Sequence, residues 1–167
     1  MIHATHERAI RDLRNPVGQP GRHRGLRPPA RRIAFPNAVV ALIGPLGAGK
    51  THLSRAIAEG LGIANPAAVT SPTFTLIHEY LARLPIFHFD AYRLNGPGEF
   101  LDLGVGEYYE AGGVCLIEWA DKVEAALPAE GLTIRLAPVD ENRRRAEVVG
   151  VGERYQALVK ELASGVA

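Results

Sequence analysis

The chain has 167 residues, 47% of them apolar, and a net charge of +1, which fits one globular domain with enough bulk to bury a core without staples. Its single cysteine, Cys115, excludes an intramolecular disulfide and a multi-cysteine metal site. No apolar run approaches the roughly 20 residues that span a bilayer, and the basic N-terminus lacks the apolar stretch of a secretory signal, so a reducing, cytoplasmic setting is expected.

The charge is unevenly placed. Residues 1–37 carry eight arginines against Glu7 and Asp12, a local +6 that leaves −5 for the rest. Pro16 to Pro36 is rich in Pro, Gly and Arg and poor in periodic apolar residues, which favours an irregular tail. An arginine-rich arm can touch RNA phosphates. No aromatic platform is interleaved with these arginines, so a solvated extension is the simpler reading. The expected organisation is a flexible segment over 1–37 and one folded domain over 38–167.

From Ala38 the pattern becomes regular. "AVVALIG" (38–44) is a short apolar run ending in glycine, as in a strand buried on both faces. "THLSRAIAEGLG" follows, with Leu53, Ile57 and Leu61 on one helical face and Gly62 as a C-cap. "PIFHFDAYRL" (85–94) predicts a strand with Ile86, His88, Asp90 and Tyr92 on one face and Phe87 and Phe89 on the other. "GVCLIEW" is a third apolar strand. "LTIRLAPV" and "RAEVVGVG" alternate and predict a hairpin across 140–144. "ERYQALVKELA" closes the chain as a helix with Tyr155, Leu158, Val159 and Leu162 on one face. Alternating strands and helices predict a three-layer α/β fold of phosphate-loop NTPase type, with a largely parallel central sheet.

"GPLGAGKT" (44–51) matches the phosphate-binding loop G-x-x-x-x-G-K-[ST], and it lies where that loop must, between an apolar strand and an amphipathic helix. Gly44, Gly47 and Gly49 let successive backbone N–H groups turn inward around an anion. The helix start adds partial positive charge. Lys50 can reach β- and γ-phosphates, and the Thr51 hydroxyl can ligate Mg²⁺. Such a loop needs an acid on a neighbouring strand. Asp90 and Glu118 both end apolar strands, and the carboxyl ends of parallel strands border the ligand crevice. "TSPTFTL" (70–76) adds a rigid turn at Ser71-Pro72 and Thr73, which could act as a switch threonine or simply lead into a strand. His88 and Cys115 read as packed strand residues rather than metal or thiol chemistry.

"GPLGAGKT", "SPTFTLIHEY", "HFDAYRL", "EFLDLGVGEYY" and "LIEWADK", in this order, resemble the bacterial TsaE (YjeE) family, over roughly Ala38 to the C-terminus. The resemblance implies an ATPase of the pathway that places threonylcarbamoyladenosine at position 37 of tRNA. It would work with the proteins TsaB and TsaD and meet tRNA indirectly through that complex. It implies that Gly44, Leu46, Gly47, Ala48, Gly49, Lys50 and Thr51 bind ATP, and that Thr51 and Glu118 hold Mg²⁺. Asp90 and Glu118 would be needed for hydrolysis, with Lys50, Thr73 and Trp119 also in the catalytic site. Two features depart from the family. Pro45 replaces the usual Asp after the first loop glycine, and Thr5 lies too far from Gly44 to match the family's adenine-side threonine. A late arginine near the nucleotide is also implied, with Arg143, Arg144 and Arg145 as candidates.

Two rivals remain. One is a small-molecule kinase of shikimate-kinase type, whose loop and helix read similarly but which needs an arginine-bearing lid and an acceptor domain. The other is a nucleotide-dependent interaction module that scarcely hydrolyses ATP. The absence of N-K-x-D argues against a guanine-nucleotide protein. The acids Glu99, Asp102, Glu107 and Glu110 read as a solvated face, or alternatively as a contact for a basic partner.

Overall fold

Val39 to Leu42 is apolar at every position, and the chain uses both faces of this strand. Val40 and Leu42 sit in one buried cluster, Val39 and Ala41 in another. The computed structural model describes residues 6–14, 33 and 35–164. In chain order these form β1 (His6–Arg14), β2 (Ala38–Ile43), α1 (Lys50–Gly60), β3 (Ile77–Tyr80), β4 (Ile86–Asp90), α2 (Pro97–Leu101), α3 (Val105–Glu110) and β5 (Val114–Glu118). A 3₁₀ segment (Ala120–Ala126), β6 (Gly131–Pro138), β7 (Arg143–Val151) and α4 (Glu153–Ser164) follow, and a single 3₁₀ turn (Pro66–Ala68) lies between α1 and β3.

Among the described residues, seven strands make one sheet in the order β1-β7-β6-β2-β5-β4-β3. β2 pairs in parallel with β5 and β6, and β4 in parallel with β5. β7 runs antiparallel to β1 and β6, and β3 antiparallel to β4. The sheet is therefore mixed, which corrects the expectation of a largely parallel one. The cause is connection length: residues 81–85 join β3 to β4 and residues 139–142 join β6 to β7, and parallel neighbours need a dozen or more residues to cross over. The hairpin across 140–144 is present as expected.

One face of the sheet carries α1 and α4 through Leu53, Ile57, Leu61, Tyr155, Leu158 and Val159. The other carries α2, α3 and the 3₁₀ segment through Phe100, Val105, Ala120 and Val123. The layers are thus three, with helices on both sides. Helix α1 ends as its pattern predicts, the Ile63 N–H returning to the Ala58 carbonyl at 3.1 Å.

The expected boundary at residue 37 does not mark the edge of the sheet. His6–Arg14 is a nine-residue strand in register with β7, from His6↔Val151 onward. Ala9 is buried against the sheet's α4 side. Arg8 pairs with Glu147 at 2.8 Å and Arg145 with Asp12 at 3.2 Å. Charges that read as solvated tail are the exposed side of an edge strand, where charge also discourages edge-to-edge pairing. The irregular stretch expected over Pro16 to Pro36 lies almost wholly outside the described residues, as does Thr5; Ile33 is buried and Phe35 packs edge-on to Tyr155 at 5.2 Å.

Strand β6 pairs with β2 only from Val40 onward. The buried Val39 N–H instead donates to the Tyr155 hydroxyl at 2.9 Å, tying α4 to the central strand. Tyr155→Phe strands that N–H, so a loss of about 1–3 kcal/mol is expected, read by urea denaturation as a lower midpoint at unchanged slope.

Candidate functional site

The carboxyl ends of β2, β4 and β5 meet at one edge of the sheet, with Leu42, Glu118 and Asp90 in lateral register. β2 leads into the glycine loop. Gly44 has φ 153°, and a Cβ there would stand 2.5 Å from the Leu136 carbonyl oxygen of β6, so only glycine lets the loop lie this close. Gly49 caps α1 at φ 101° with no side chain to cover the helix start. The first N–H groups of α1 have no intrahelical partner, and its first turn holds no acid. That is an open anion cradle. Leu46 stands exposed at the loop tip, whereas Ala48 is buried and its N–H donates to the Pro45 carbonyl at 3.1 Å. Pro45 thus gives up a donor but keeps a structural role through its carbonyl.

Lys50 is nearly buried. Its ammonium donates to the carbonyls of Gly44 at 2.6 Å and Pro45 at 3.0 Å, and stands 3.6 Å from the centre of the Trp119 ring. Burial pulls its pKa below the ordinary lysine value, against the opposing pull of Glu118, Asp90 and Asp121. Trp119 reaches this position because the chain turns left-handed directly after β5, at φ 59°. Tyr92 packs against the indole, ring centres 4.9 Å apart.

Glu118 is 2% exposed yet fully engaged. Its Oε2 accepts from Thr51 Oγ1 at 2.9 Å. Its Oε1 accepts from Ser54 Oγ at 3.1 Å and lies 2.8 Å from His88 Nε2. Asp90, also buried, accepts at Oδ2 from Ser71 and from Thr73 Oγ1, the latter at 2.9 Å. Its Oδ1 accepts from the Tyr92 N–H at 2.9 Å. The 70–76 loop is thereby fastened to the end of β4. These groups border a cleft of about 400 Å³ lined by Lys50, Thr51, Thr73, Asp90, Glu118 and Trp119, with Leu46, Gly47 and Gly49 at its loop side.

The hydroxyl of Thr51 and the carboxylates of Glu118 and Asp90 are hard oxygen donors of the kind magnesium takes, one or two carboxylates at a time. Among the described residues no group of three His, Cys, Asp or Glu side chains could enclose a metal, so an ion here needs further oxygens from water or a bound phosphate. The donor set fits a metal shared with a phosphate ligand.

Of the residues expected at the site, Leu46, Gly47, Gly49, Lys50, Thr51, Thr73, Asp90, Glu118 and Trp119 line this cleft; Gly44 and the buried Ala48 shape the loop behind it, and the late arginines stand apart. Arg143 pairs with Asp140 at 2.6 Å, Arg144 donates to carbonyls of its own hairpin, and Arg145 holds Asp12; none of the three lines the cleft. Cys115 is core, its thiol pushed up to about 12 by burial. The acids Glu99, Asp102, Glu107 and Glu110 are exposed. Three polar contacts escape sequence reading. Ser54 and Ser71 carry no signature beyond being hydroxyls. His88 is placed by alternation on the face of Asp90, but its partner is Glu118.

The fold and cleft define a class: an α/β protein with a glycine-rich loop opening a helix, set against two buried acids. The chain belongs to the TsaE family, since residues 24–146 match the family model described as threonylcarbamoyl adenosine biosynthesis protein TsaE. A "tRNA threonylcarbamoyladenosine biosynthesis protein TsaE" of Bacillus subtilis is 45% identical over 131 residues, 78% of this chain and 80% of that protein. The Treponema pallidum protein of the same description is 41% identical over 117 residues, 70% of this chain and 85% of its own. The crystal structure of Bacillus subtilis YdiB superposes with a TM-score of 0.72 at 34% identity, covering 96% of this chain and 97% of that one.

The Lys50 ammonium is desolvated, and its two hydrogen bonds go to carbonyls of the loop itself rather than to the core. Lys50→Met is expected to leave the thermal midpoint unchanged or raised, while weakening binding of ATP at least ~10-fold, as stability–function trade-offs at binding sites predict. Calorimetric melting together with equilibrium nucleotide binding checks both halves.

Proposed function

We propose that this protein is a Mg²⁺-dependent phosphate-loop ATPase serving tRNA threonylcarbamoyladenosine biosynthesis, in complex with TsaB and TsaD. The observation that carries the reading is the 2.9 Å contact of Thr51 with Glu118. It joins a hydroxyl of the glycine loop's helix to an acid ending the neighbouring strand, beside an open helix N-terminus. The names of the TsaE relatives support the pathway. The catalytic domain is proposed over residues 38–167, with β1 completing its sheet.

In this reading the backbone of Gly44 to Gly49 and the start of α1 bind the phosphates of ATP. Lys50 leaves the carbonyls of Gly44 and Pro45 for the β- and γ-phosphates. Thr51 and Glu118 hold Mg²⁺. The ion, when bound, supplies charge neutralisation at the phosphate oxygens. Asp90 orients the attacking water, and Thr73, already bonded to Asp90, adds a hydroxyl on the same side. Trp119 walls the site. Phosphoryl transfer asks mainly for positioning and charge stabilisation, and these groups provide both. Among the described residues no helix is long and apolar enough to cross a membrane; a cytoplasmic setting, with tRNA met through the complex, is part of the proposal.

One observation favours a second reading, a nucleotide-gated binding module: among the described residues no arginine lines the cleft, so none of them offers a cationic finger for the charge that builds during transfer. Turnover in the complex with TsaB and TsaD, against tight binding without turnover, separates the two.

ATP hydrolysis is to be measured alone and with TsaB–TsaD. Chelation of Mg²⁺ is expected to abolish it, and Glu118→Ala to lower it by about 10²-fold or more, the scale of losing a charge-stabilising group. Equal rates for Glu118→Ala and wild type in the complex would sink the role given to Glu118.

A further inference from the structure

His88 takes no part in the roles above. It lies on β4 two residues before Asp90, with a relative exposure of 0%. Its Nε2 faces Glu118 Oε1 at 2.8 Å. A carboxylate only accepts, so Nε2 carries the hydrogen. The other ring nitrogen, Nδ1, is buried and has no hydrogen-bond partner among the described residues. Burying an unmatched polar atom is unfavourable. Its register neighbour on β5 is Leu116, also fully buried, so the same layer of the sheet accepts a plain apolar side chain. What the imidazole supplies and an apolar residue cannot is the N–H held against Glu118.

That N–H acts on one oxygen only. His88 and Ser54 both engage Oε1, while Oε2 meets Thr51. A glutamate has three side-chain torsions, and two donors on one oxygen fix the direction of the other. The donors come from different elements, β4 and α1, so the carboxylate is clamped between strand and helix rather than merely solvated by one loop.

We propose that His88 is a positioning residue, which holds Glu118 by Oε1 so that Oε2 is presented beside the Thr51 hydroxyl to a divalent cation. The inference rests on the proposed Mg²⁺–ATP reading of the cleft and adds to it a residue that touches neither ion nor nucleotide. Partners of this kind, standing behind a metal ligand, govern 10–100-fold in metal affinity.

The test uses the full chain with a non-hydrolysable ATP analogue and Mn²⁺ as a paramagnetic probe of the metal. His88→Met fills the space without a donor; His88→Gln keeps a side-chain N–H of similar reach. H88M is expected to weaken Mn²⁺ binding ~10–100-fold, with H88Q within about 3-fold of wild type. Metal-free nucleotide binding should stay near wild type in both. Unchanged Mn²⁺ binding in H88M overturns the proposal, and so does equal weakening in H88M and H88Q, which marks lost packing. If H88M fails to fold, Ser54→Ala replaces it: weakened Mn²⁺ binding there with H88Q near wild type supports the clamp, and unchanged binding overturns it. Glu118→Gln separates the two levels of failure. Mn²⁺ binding that survives Glu118→Gln overturns the metal reading of the cleft itself. Loss in Glu118→Gln without loss in H88M overturns only the role of His88.

Discussion

The buried carboxylate of Glu118 is the constraint around which the site is built. An ionised acid removed from water is tolerated only when its oxygens are met by donors. Here the donors are Thr51 and Ser54 from α1 and His88 from β4, while the acid itself ends β5. Satisfying one side chain therefore fixes the start of α1 against two parallel strands. The loop that precedes α1 inherits that placement, because Gly44 already lies against the β6 backbone on its other side. Binding geometry and folding geometry are set by the same contacts.

Asp90 shows the same logic on a more adaptable scale. Its hydroxyl partners, Ser71 and Thr73, come from a connection rather than from a regular element. That connection includes Leu76 at φ 66°, and Trp119, after β5, sits at φ 59°. Left-handed backbone at bulky residues is unfavourable and gathers where surrounding contacts impose it. Leu76 is held by its N–H to the Pro72 carbonyl at 2.6 Å and by its carbonyl to the Asp90 N–H at 3.1 Å. Both residues thus adjoin the two acids, Leu76 through its bond to Asp90 and Trp119 as the residue after Glu118.

Much of this was legible in the sequence. The apolar run of β2, the glycine spacing and the helical period of α1 named the loop and both elements that frame it. Strand alternation placed His88 and Asp90 on one face. The sheet's mixed character was not legible, because a strand's apolar pattern does not state its direction; only the short links at 81–85 and 139–142 do, and only once the strand ends are known. β1 was missed because its alternation is carried by charges whose partners, Glu147 and Arg145, lie far along the chain. Ser54 and Ser71 were missed because a hydroxyl gains its role from what stands opposite it. The family membership came from the resemblance to TsaE, whose motifs carry no pathway in their chemistry alone.

The pairing of β1 with β7 has a consequence for synthesis. Its register joins His6 to Val151, so β1 is synthesised long before the strand it pairs with. Chains emerge from the ribosome in order and fold as partners become available. The nine-residue β1 must wait, its backbone groups without their sheet partners, until β7 has cleared the tunnel. Its exposed charges, Arg8 and Asp12, keep the waiting strand hydrated and unattractive to other nascent chains.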